Sequence, residues 1–309
     1  MNFQEKTGKI RIAYIILAYK LPEQIIRLVN RLNTPESSFF IHIDSRTNNV
    51  VFKSLKQALN NHGNVFFLKR HASKWGRIGG VDAVLEGIKA IVESKQEFDY
   101  VVHLSGQDYP IKTNKEFQDF LATQKPKSML QYYPIPYPGH PHIDDSINYW
   151  HFYLFRWHII FPKQNTFSNQ MLNRIWNAAV KNIKLHPRLP YGFSPYCGPA
   201  YWCLHFDCIE YIYNFLKKHK LYYHFFRFVQ YPDEFFFHTL LANSPLADRL
   251  QNQRLVYLDF SSKNAHPAIL TMYDLDAVLS SNKFFARKFD STIDCSVLDL
   301  IDKKVFGIY

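Results

Sequence analysis

The 309-residue chain has little that would staple it or anchor it. Its four cysteines, Cys197, Cys203, Cys208 and Cys295, are too few for a disulfide scaffold and fit a reducing compartment. None forms a C-x-x-C pair, and His205 alone does not turn Cys197, Cys203 and Cys208 into a zinc site. These three read as buried small hydrophobes. Long apolar runs are missing as well. The first, Ile10 to Tyr19, contains Arg11 and is too short to span a bilayer or form a signal-peptide core, and the stretch Met1 to Lys9 before it is polar. A cytosolic location is therefore expected. No G-x-G-x-x-G or P-loop spacing occurs, which argues against a dinucleotide-binding Rossmann site or an NTPase. No RNP, helix-turn-helix or zinc-finger pattern, internal repeat, low-complexity tract or linker is found, so a single composite domain over 1–309 is expected.

What is present suits a packed core: 47% of residues are hydrophobic and 17% aromatic. Lys and Arg total 37 against 26 Asp and Glu, a difference of +11, and that field favours anionic partners such as nucleotides, nucleic acids or acidic lipid surfaces. Apolar runs alternate with helical patterns through the first third, the sign of a parallel sheet with crossover helices. Strands are expected at Ile10 to Ala18, Phe39 to Ile43, Val65 to Leu68 and Tyr100 to Leu104. Helices are expected from Pro22, around Val51 to Leu59, and over Gly80 to Ser94. The turn Gly106 to Pro110 then lies at the carboxyl end of a central strand, where open α/β sheets bind ligands, which draws attention to Asp108. From 124 to 195 the chain turns to aromatics, prolines and histidines, with one helix expected over Asn169 to Lys181 and the rest read as long surface segments on the acceptor side. Alternation resumes with a strand over Ala200 to His205, a helix over Asp207 to Lys218, another after Asp233 and a last one over Thr271 to Ser280. These elements define an α/β fold with a mixed, mostly parallel sheet flanked by helices.

Several constellations could carry chemistry. Asp233-Glu234 precedes Phe235-Phe236-Phe237, and burial against aromatics raises a carboxyl pKa toward that of a general base. A plain helix-start charge is the alternative, and the residues alone leave both open. Arg287 and Lys288, framed by Phe284, Phe285 and Phe289, could neutralise a phosphate, with a solvated surface pair as the alternative. Asp-x-Asp, the usual metal holder for a sugar-nucleotide diphosphate, is absent from Ser105-Gly106-Gln107-Asp108-Tyr109. The literal Asp274-Leu275-Asp276 falls in an expected helix, where i and i+2 point apart. Trp75-Gly76 with Gly79-Gly80 lies between a strand and a helix, as a ligand-approaching loop or as a core tryptophan beside a turn. His42, His103, His205 and His238 read as hydrogen-bonded core or cleft residues.

Taken in order, six segments resemble the core-2/I-branching enzyme family, which includes β-1,6-N-acetylglucosaminyltransferases and peptide O-xylosyltransferases. They are Ile12 to Ile16, Phe40 to Arg46, Trp75-Gly76, His103 to Asn114, Pro232 to Thr239 and Phe284 to Asp290. The resemblance implies a GT-A-like Rossmann-type fold, an inverting transfer from a UDP-sugar, and no cofactor or metal. It implies Glu234 as catalytic base and Arg287 with Lys288 as diphosphate clamp. Asp44 would hold the uracil or ribose, with Ala18, Tyr19 and Arg46 beside it, and Trp75 and Asp108 would line the donor pocket. On this reading, 10–123 is the nucleotide-binding half and 196–309 the catalytic and diphosphate-binding half. Gly198-Pro199-Ala200 resembles the acetylglucosaminyltransferase branch, whereas Phe236 to Thr239 and Phe284 to Phe289 resemble the xylosyltransferases, so N-acetylglucosamine and xylose both stand as donor sugars. The short start and few cysteines resemble a bacterial, cytosolic member. Its expected acceptor is a glycan or lipid-linked oligosaccharide of a cell-surface polysaccharide or lipopolysaccharide, with peripheral contact to an anionic membrane and no nucleic acid. A catalytically silent nucleotide- or carbohydrate-binding module and a nucleic-acid-binding protein are the rival classes.

Overall fold

The computed structural model describes residues 9–138, 141–154, 157–164, 167–183, 186–261 and 267–308; residues 1–8 of the polar N-terminal stretch lie outside them. The chain opens in strict alternation: β1 (Ile12–Ala18), α1 (Pro22–Leu32), β2 (Ser37–Ile43), α2 (Asn49–Ala58), β3 (Val65–Phe67), α3 (Gly79–Glu93) and β4 (Tyr100–Ser105). Next come β5 (Tyr109–Pro110), α4 (Asn114–Gln124), β6 (Ser128–Met129), β7 (Tyr133–Pro134), α5 (Pro141–Asn148), β8 (Trp150–Leu154), β9 (Trp157–Phe161), α6 (Gln170–Val180) and β10 (Tyr196–Cys197). The last part holds β11 (Cys203–His205), α7 (Phe206–Lys218), α8 (Lys220–Phe226), α9 (Phe236–Ala242), β12 (Leu250–Gln251), β13 (Val256–Leu258), α10 (Leu275–Ser280), β14 (Phe285–Arg287) and α11 (Ser296–Ile301).

The main sheet has seven strands in the order β12-β6-β11-β4-β1-β2-β3. Within it β11 alone runs against its neighbours, so the sheet is mixed and mostly parallel, as expected. The chain steps outward from β1 to β2 and β3, then returns to β4 on the other side of β1, which opens a crevice at the carboxyl ends of β1 and β4. Both faces of β1 are covered, and its run Ile-Ala-Tyr-Ile-Ile is apolar throughout for that reason. Ile12, Tyr14 and Ile16 pack with Leu28 and Val29 of α1 and with Val297 and Ile301 of α11. Ala13 and Ile15 face the opposite layer, with Val84 and Ile88 of α3 and Ile209 and Ile212 of α7. Helix α1 can supply that face because Pro22 opens it and Ile25, Leu28, Val29 and Leu32 recur at helical spacing.

A second sheet, β13-β14-β5, carries Arg287. Here β14 pairs antiparallel to β5, with Ala286 opposite Tyr109, and parallel to β13, with Arg287 opposite Leu258. The expected strand over Ala200 to His205 is confined to Cys203–His205, because the Pro199 and Ala200 carbonyls bond to the His238 and His103 side chains instead of a neighbouring strand. After Asp233 the chain makes a single 3-10 turn over Pro232–Glu234 before α9 begins. The region 124–195 holds more regular structure than expected, chiefly the β8–β9 hairpin. Cys197, Cys203 and Cys208 are buried and free, as read from the sequence, and Cys295 is exposed.

One buried ionic knot ties α1, the second sheet and the C-terminal turn together. Asp302 Oδ1 accepts from Arg31 Nε at 2.6 Å and from the Tyr109 hydroxyl at 2.7 Å, while Oδ2 accepts from Arg27 Nε at 2.9 Å. Burial raises the Asp302 carboxyl, but Arg31, Tyr109 and Arg27 more than offset it and hold the group below its ordinary pKa. Breaking a buried pair leaves an uncompensated charge, so Asp302→Ala should lower stability by about 3–5 kcal/mol in urea denaturation.

Candidate functional site

The site surrounds the crevice at the carboxyl ends of β1, β2 and β4. At the end of β2, Asp44 is buried, and its backbone N–H donates to the Ala18 carbonyl at the end of β1, 2.9 Å away. Its carboxylate is engaged on both oxygens. Arg46 Nε and backbone N–H donate to Oδ1 at 3.0 and 2.8 Å, and Ser73 N–H donates to Oδ2 at 2.9 Å. Burial opposes the charge, but Arg46 and these N–H groups outweigh it and hold the carboxyl at about 2. Asp44 is therefore a fixed anion that fastens the Ser73–Gly76 loop to the sheet. Next to it, the Thr47 hydroxyl donates to the Tyr19 carbonyl at 2.9 Å.

The same loop reaches the catalytic candidate. Gly76 takes the left-handed conformation at φ 72°, and its carbonyl accepts from the Tyr231 backbone N–H at 3.2 Å. Trp75 is 67% exposed, which rules out the core-tryptophan reading, and its ring lies 4.7 Å from that of Tyr231. Tyr231 is itself left-handed at φ 52° and leads into the 3-10 turn that carries Asp233 and Glu234. Among the described residues no hydrogen bond to the Glu234 carboxylate is found. Burial, aided by the charge of Asp233, pushes the Glu234 carboxyl up to about 8. Burial also raises Asp233.

From Glu234 the wall continues through residues 198–201. Gly198 N–H donates to the Glu234 carbonyl at 2.9 Å. A Cβ at Gly198 would stand 2.0 Å from the Gln131 carbonyl oxygen and 2.8 Å from the His238 ring, so only glycine permits this approach. His238 Nε2 donates to the Pro199 carbonyl at 3.1 Å, and His103 Nδ1 donates to that of Ala200 at 2.7 Å. Burial lowers His103 to about 4 and His238 to about 3, so both serve as neutral, buried hydrogen-bonding residues, as the sequence suggested. His42 is likewise buried and accepts from His71 N–H at 2.8 Å.

Tyr201 ends the wall beneath Arg287, whose guanidinium carbon lies 4.1 Å from the ring centroid. Gly198 and Tyr201 are three residues apart, so at most about 11 Å of chain separates the backbone contact of Glu234 from this stack. The Arg287 side chain is 12% exposed, and Nε stands 3.7 Å from Asp108 Oδ1, whose side chain is fully buried. Asp108 is fixed by the Ser105 backbone N–H on its other oxygen. Arg287 Nε and Nη1 and Asp108 Oδ1 are buried without a hydrogen-bond partner among the described residues. Burial lowers the Arg287 pKa, partly offset by Asp108. Lys288 is half-buried and also lowered, by burial first and then by Arg287 and Lys20.

Two residues that the sequence reading passed over belong here. Lys20, just past β1, pairs with the buried Asp290 at 2.5 Å and is close enough to Lys288 to repel it. Tyr201 directly follows Gly198-Pro199-Ala200, and nothing local to it signals a platform for Arg287. The loop 288–291 is pinned by Gln107, whose backbone carbonyl accepts from Phe289 N–H and whose Nε2 donates to the Phe289 carbonyl at 3.0 Å. The structure thus brings Ala18, Tyr19, Asp44, Arg46, Trp75, Asp108, Glu234, Arg287 and Lys288 into one rim of linked contacts. Asp274 and Asp276 stay outside it. Asp274 is spent capping Thr271, and Asp276 is exposed opposite Lys304.

The profile of the Core-2/I-Branching enzyme family matches residues 12–281. The chain belongs to this family. It is 24% identical to xylosyltransferase 2 of Rattus norvegicus over 97% of its own length and 34% of that protein's. It is 22% identical to xylosyltransferase 1 of Homo sapiens over 97% of its length and 31% of that protein's. The chain therefore spans about a third of the length of these relatives.

The raised Glu234 carboxyl has a measurable consequence. With a folded pKa of about 8 against the ordinary 4.5, the folded protein holds a proton that the unfolded chain releases between those values. Stability should then fall as pH rises through this window, by about 1.4 kcal/mol per unit from this group. Glu234→Gln should flatten that decline in denaturation at pH 5 and pH 8. Parallel declines in the two proteins would mean that Glu234 titrates normally.

Proposed function

We propose that this protein is an inverting glycosyltransferase that moves a sugar from a UDP-sugar to a hydroxyl of a glycan acceptor. The observation that carries the reading is Arg287: a guanidinium enclosed by protein at the carboxyl ends of β1 and β4, with two N–H groups unspent, next to Lys288 and Lys20. Such a group suits diphosphate oxygens, and its low-dielectric setting strengthens the attraction. Family membership and the names of the relatives agree with sugar transfer.

In the proposed reaction an acceptor hydroxyl attacks the anomeric carbon as its proton passes to Glu234. The new glycosidic C–O bond forms while the bond to the diphosphate breaks, and UDP departs with the electron pair toward Arg287 and Lys288. Asp44, Arg46, Ala18 and Tyr19 would border the nucleoside, and Trp75 and Asp108 the sugar-bearing side. The crevice presents one carboxylate at the end of β4, already facing Arg287, and this supports charge neutralisation by side chains without a metal cofactor. The relatives' names favour xylose as donor sugar, and N-acetylglucosamine is the other choice. We place the work at the cytoplasmic face of the cell membrane, on a lipid-linked or polysaccharide acceptor of the cell surface.

Three measurements test this. Calorimetric UDP affinity should fall at least tenfold in Arg287→Ala and less in Lys20→Ala, and EDTA should leave it unchanged; a strict metal requirement would sink the side-chain clamp. Transfer should be lost in Glu234→Gln with UDP affinity retained, whereas equal loss of both would make Glu234 structural. Because the base must be ionised, kcat/KM should rise with pH and level off near 8, nearly tenfold per unit well below that point. A profile flat from pH 6 to 9 would exclude Glu234 as the base.

A further inference from the structure

The segment between Asp145 and Asp207 contains no acidic residue, yet it carries Arg156, Lys163, Arg174, Lys181, Lys184 and Arg188. Among the described residues, Lys163 just past β9 is paired with Asp145, whereas Arg174 on α6 and Lys181 at its end are exposed. Helix α6 is also inverted in its exposure. Met171 and Ile175, one turn apart, are 73% and 59% exposed, Ala178 and Ala179 extend the same stripe, and Leu172 borders it. Arg174 and Lys181, seven residues apart, run along one flank of the stripe. The inner side of the helix is held by Trp176, whose Nε1 donates to the Lys163 carbonyl at 2.8 Å and whose ring lies 6.0 Å from Phe161. Trp157 at the hairpin tip joins this assembly through Phe167, 5.9 Å away, and Leu154, paired with it across the hairpin, is exposed. Asp145 pairs with Lys163 behind the helix, while the stripe itself is exposed and apolar with Arg174 and Lys181 along its border, the chemistry of a helix that lies in a membrane interface.

We propose that α6, with Leu154 of β8 and Trp157 of β9 beside it, docks onto an anionic lipid bilayer, with Met171, Leu172 and Ile175 entering the acyl boundary and Arg174 and Lys181 meeting the headgroups. Charge complementarity selects this occupant: a polybasic rim gains about 1 kcal/mol per residue near anionic lipid, roughly a fivefold change in partition. The surface lies beside the crevice. Tyr153 of β8 donates to the Gly76 carbonyl at 3.4 Å, and the Arg77 guanidinium sits 4.1 Å above the Tyr153 ring, so the hairpin abuts the Trp75 loop. Docking would set the open side of the site against the bilayer, which deepens the membrane-linked acceptor part of the proposed function and rests on it for its purpose, though not for its physics.

Flotation of the full chain with vesicles of phosphatidylcholine alone, or with phosphatidylglycerol added, is the test, with UDP affinity and Tm measured on the same preparations. Partition should require phosphatidylglycerol and weaken with salt. It should drop at least tenfold in Met171→Glu/Ile175→Glu and several-fold in Arg174→Ala/Lys181→Ala, with Tm and UDP affinity kept. No partition of the unaltered chain, or partition indifferent to the glutamates, would overturn the proposal. So would a concentration-dependent dimer abolished by those glutamates, since a second copy would then cover the stripe, or salt-sensitive oligonucleotide binding through the same residues with no response to lipid. Vesicle binding without UDP binding would overturn the transferase reading and leave the docking surface standing; the reverse result would overturn only the surface.

Discussion

A guanidinium enclosed by protein is costly unless something compensates it, and the arrangement around Arg287 follows from that cost. Asp108 stands 3.7 Å away, too far for a normal hydrogen bond, and Tyr201 offers a ring face at 4.1 Å. Both lower the cost without using up the donors. The positions of those partners need the fold around them. Asp108 is set by the Ser105 backbone at the end of β4, Tyr201 by the departure of its segment from the sheet, and Arg287 by pairing of β14 between β5 and β13. The Asp302 knot, nearly two hundred residues from Tyr109 in sequence, fixes β5 against α1 and so bears on the same charge.

Much of this was legible in the sequence because it depends on local pattern. The buried strands β1, β2 and β4 showed as apolar runs since both faces of the sheet are covered, and α1, α3 and α7 showed as periodic stripes. Glu234 and the Arg287–Lys288 pair could be picked out beside their phenylalanines, but the residues left each with a plain alternative. For Arg287 and Trp75 exposure decided between the two readings, in opposite directions: the arginine is enclosed rather than a solvated surface residue, and the tryptophan is exposed rather than in a core. Exposure is a tertiary property, and no window of neighbouring residues carries it.

What stayed illegible was long-range. Lys20 looks like an ordinary residue after a strand until Asp290, 270 residues later, is set against it. The β8–β9 hairpin was hidden because aromatic residues stand on both of its faces, Trp150, Phe152 and Trp157 on one and Tyr153 on the other with His151 and His158. Its inner side is polar because it meets the Gly76 loop, and its outer side is apolar because α6 covers part of it.

The same geometry keeps the two ends of the crevice chemically separate. An unpaired carboxylate such as Glu234 and a guanidinium with idle donors would attract each other strongly in a shared low-dielectric space, and a direct pair would depress the carboxyl pKa and occupy the cation. The strip from Gly198 to Tyr201, held by His103 and His238, stands between them. On one side Asp108 gives Arg287 a fixed counter-charge, and on the other Asp233 adds repulsion that helps raise Glu234 toward 8. A base of that strength and a cation free to meet phosphate oxygens can coexist because each has its own acidic neighbour, and the neutral histidines hold the wall without adding charge to either side.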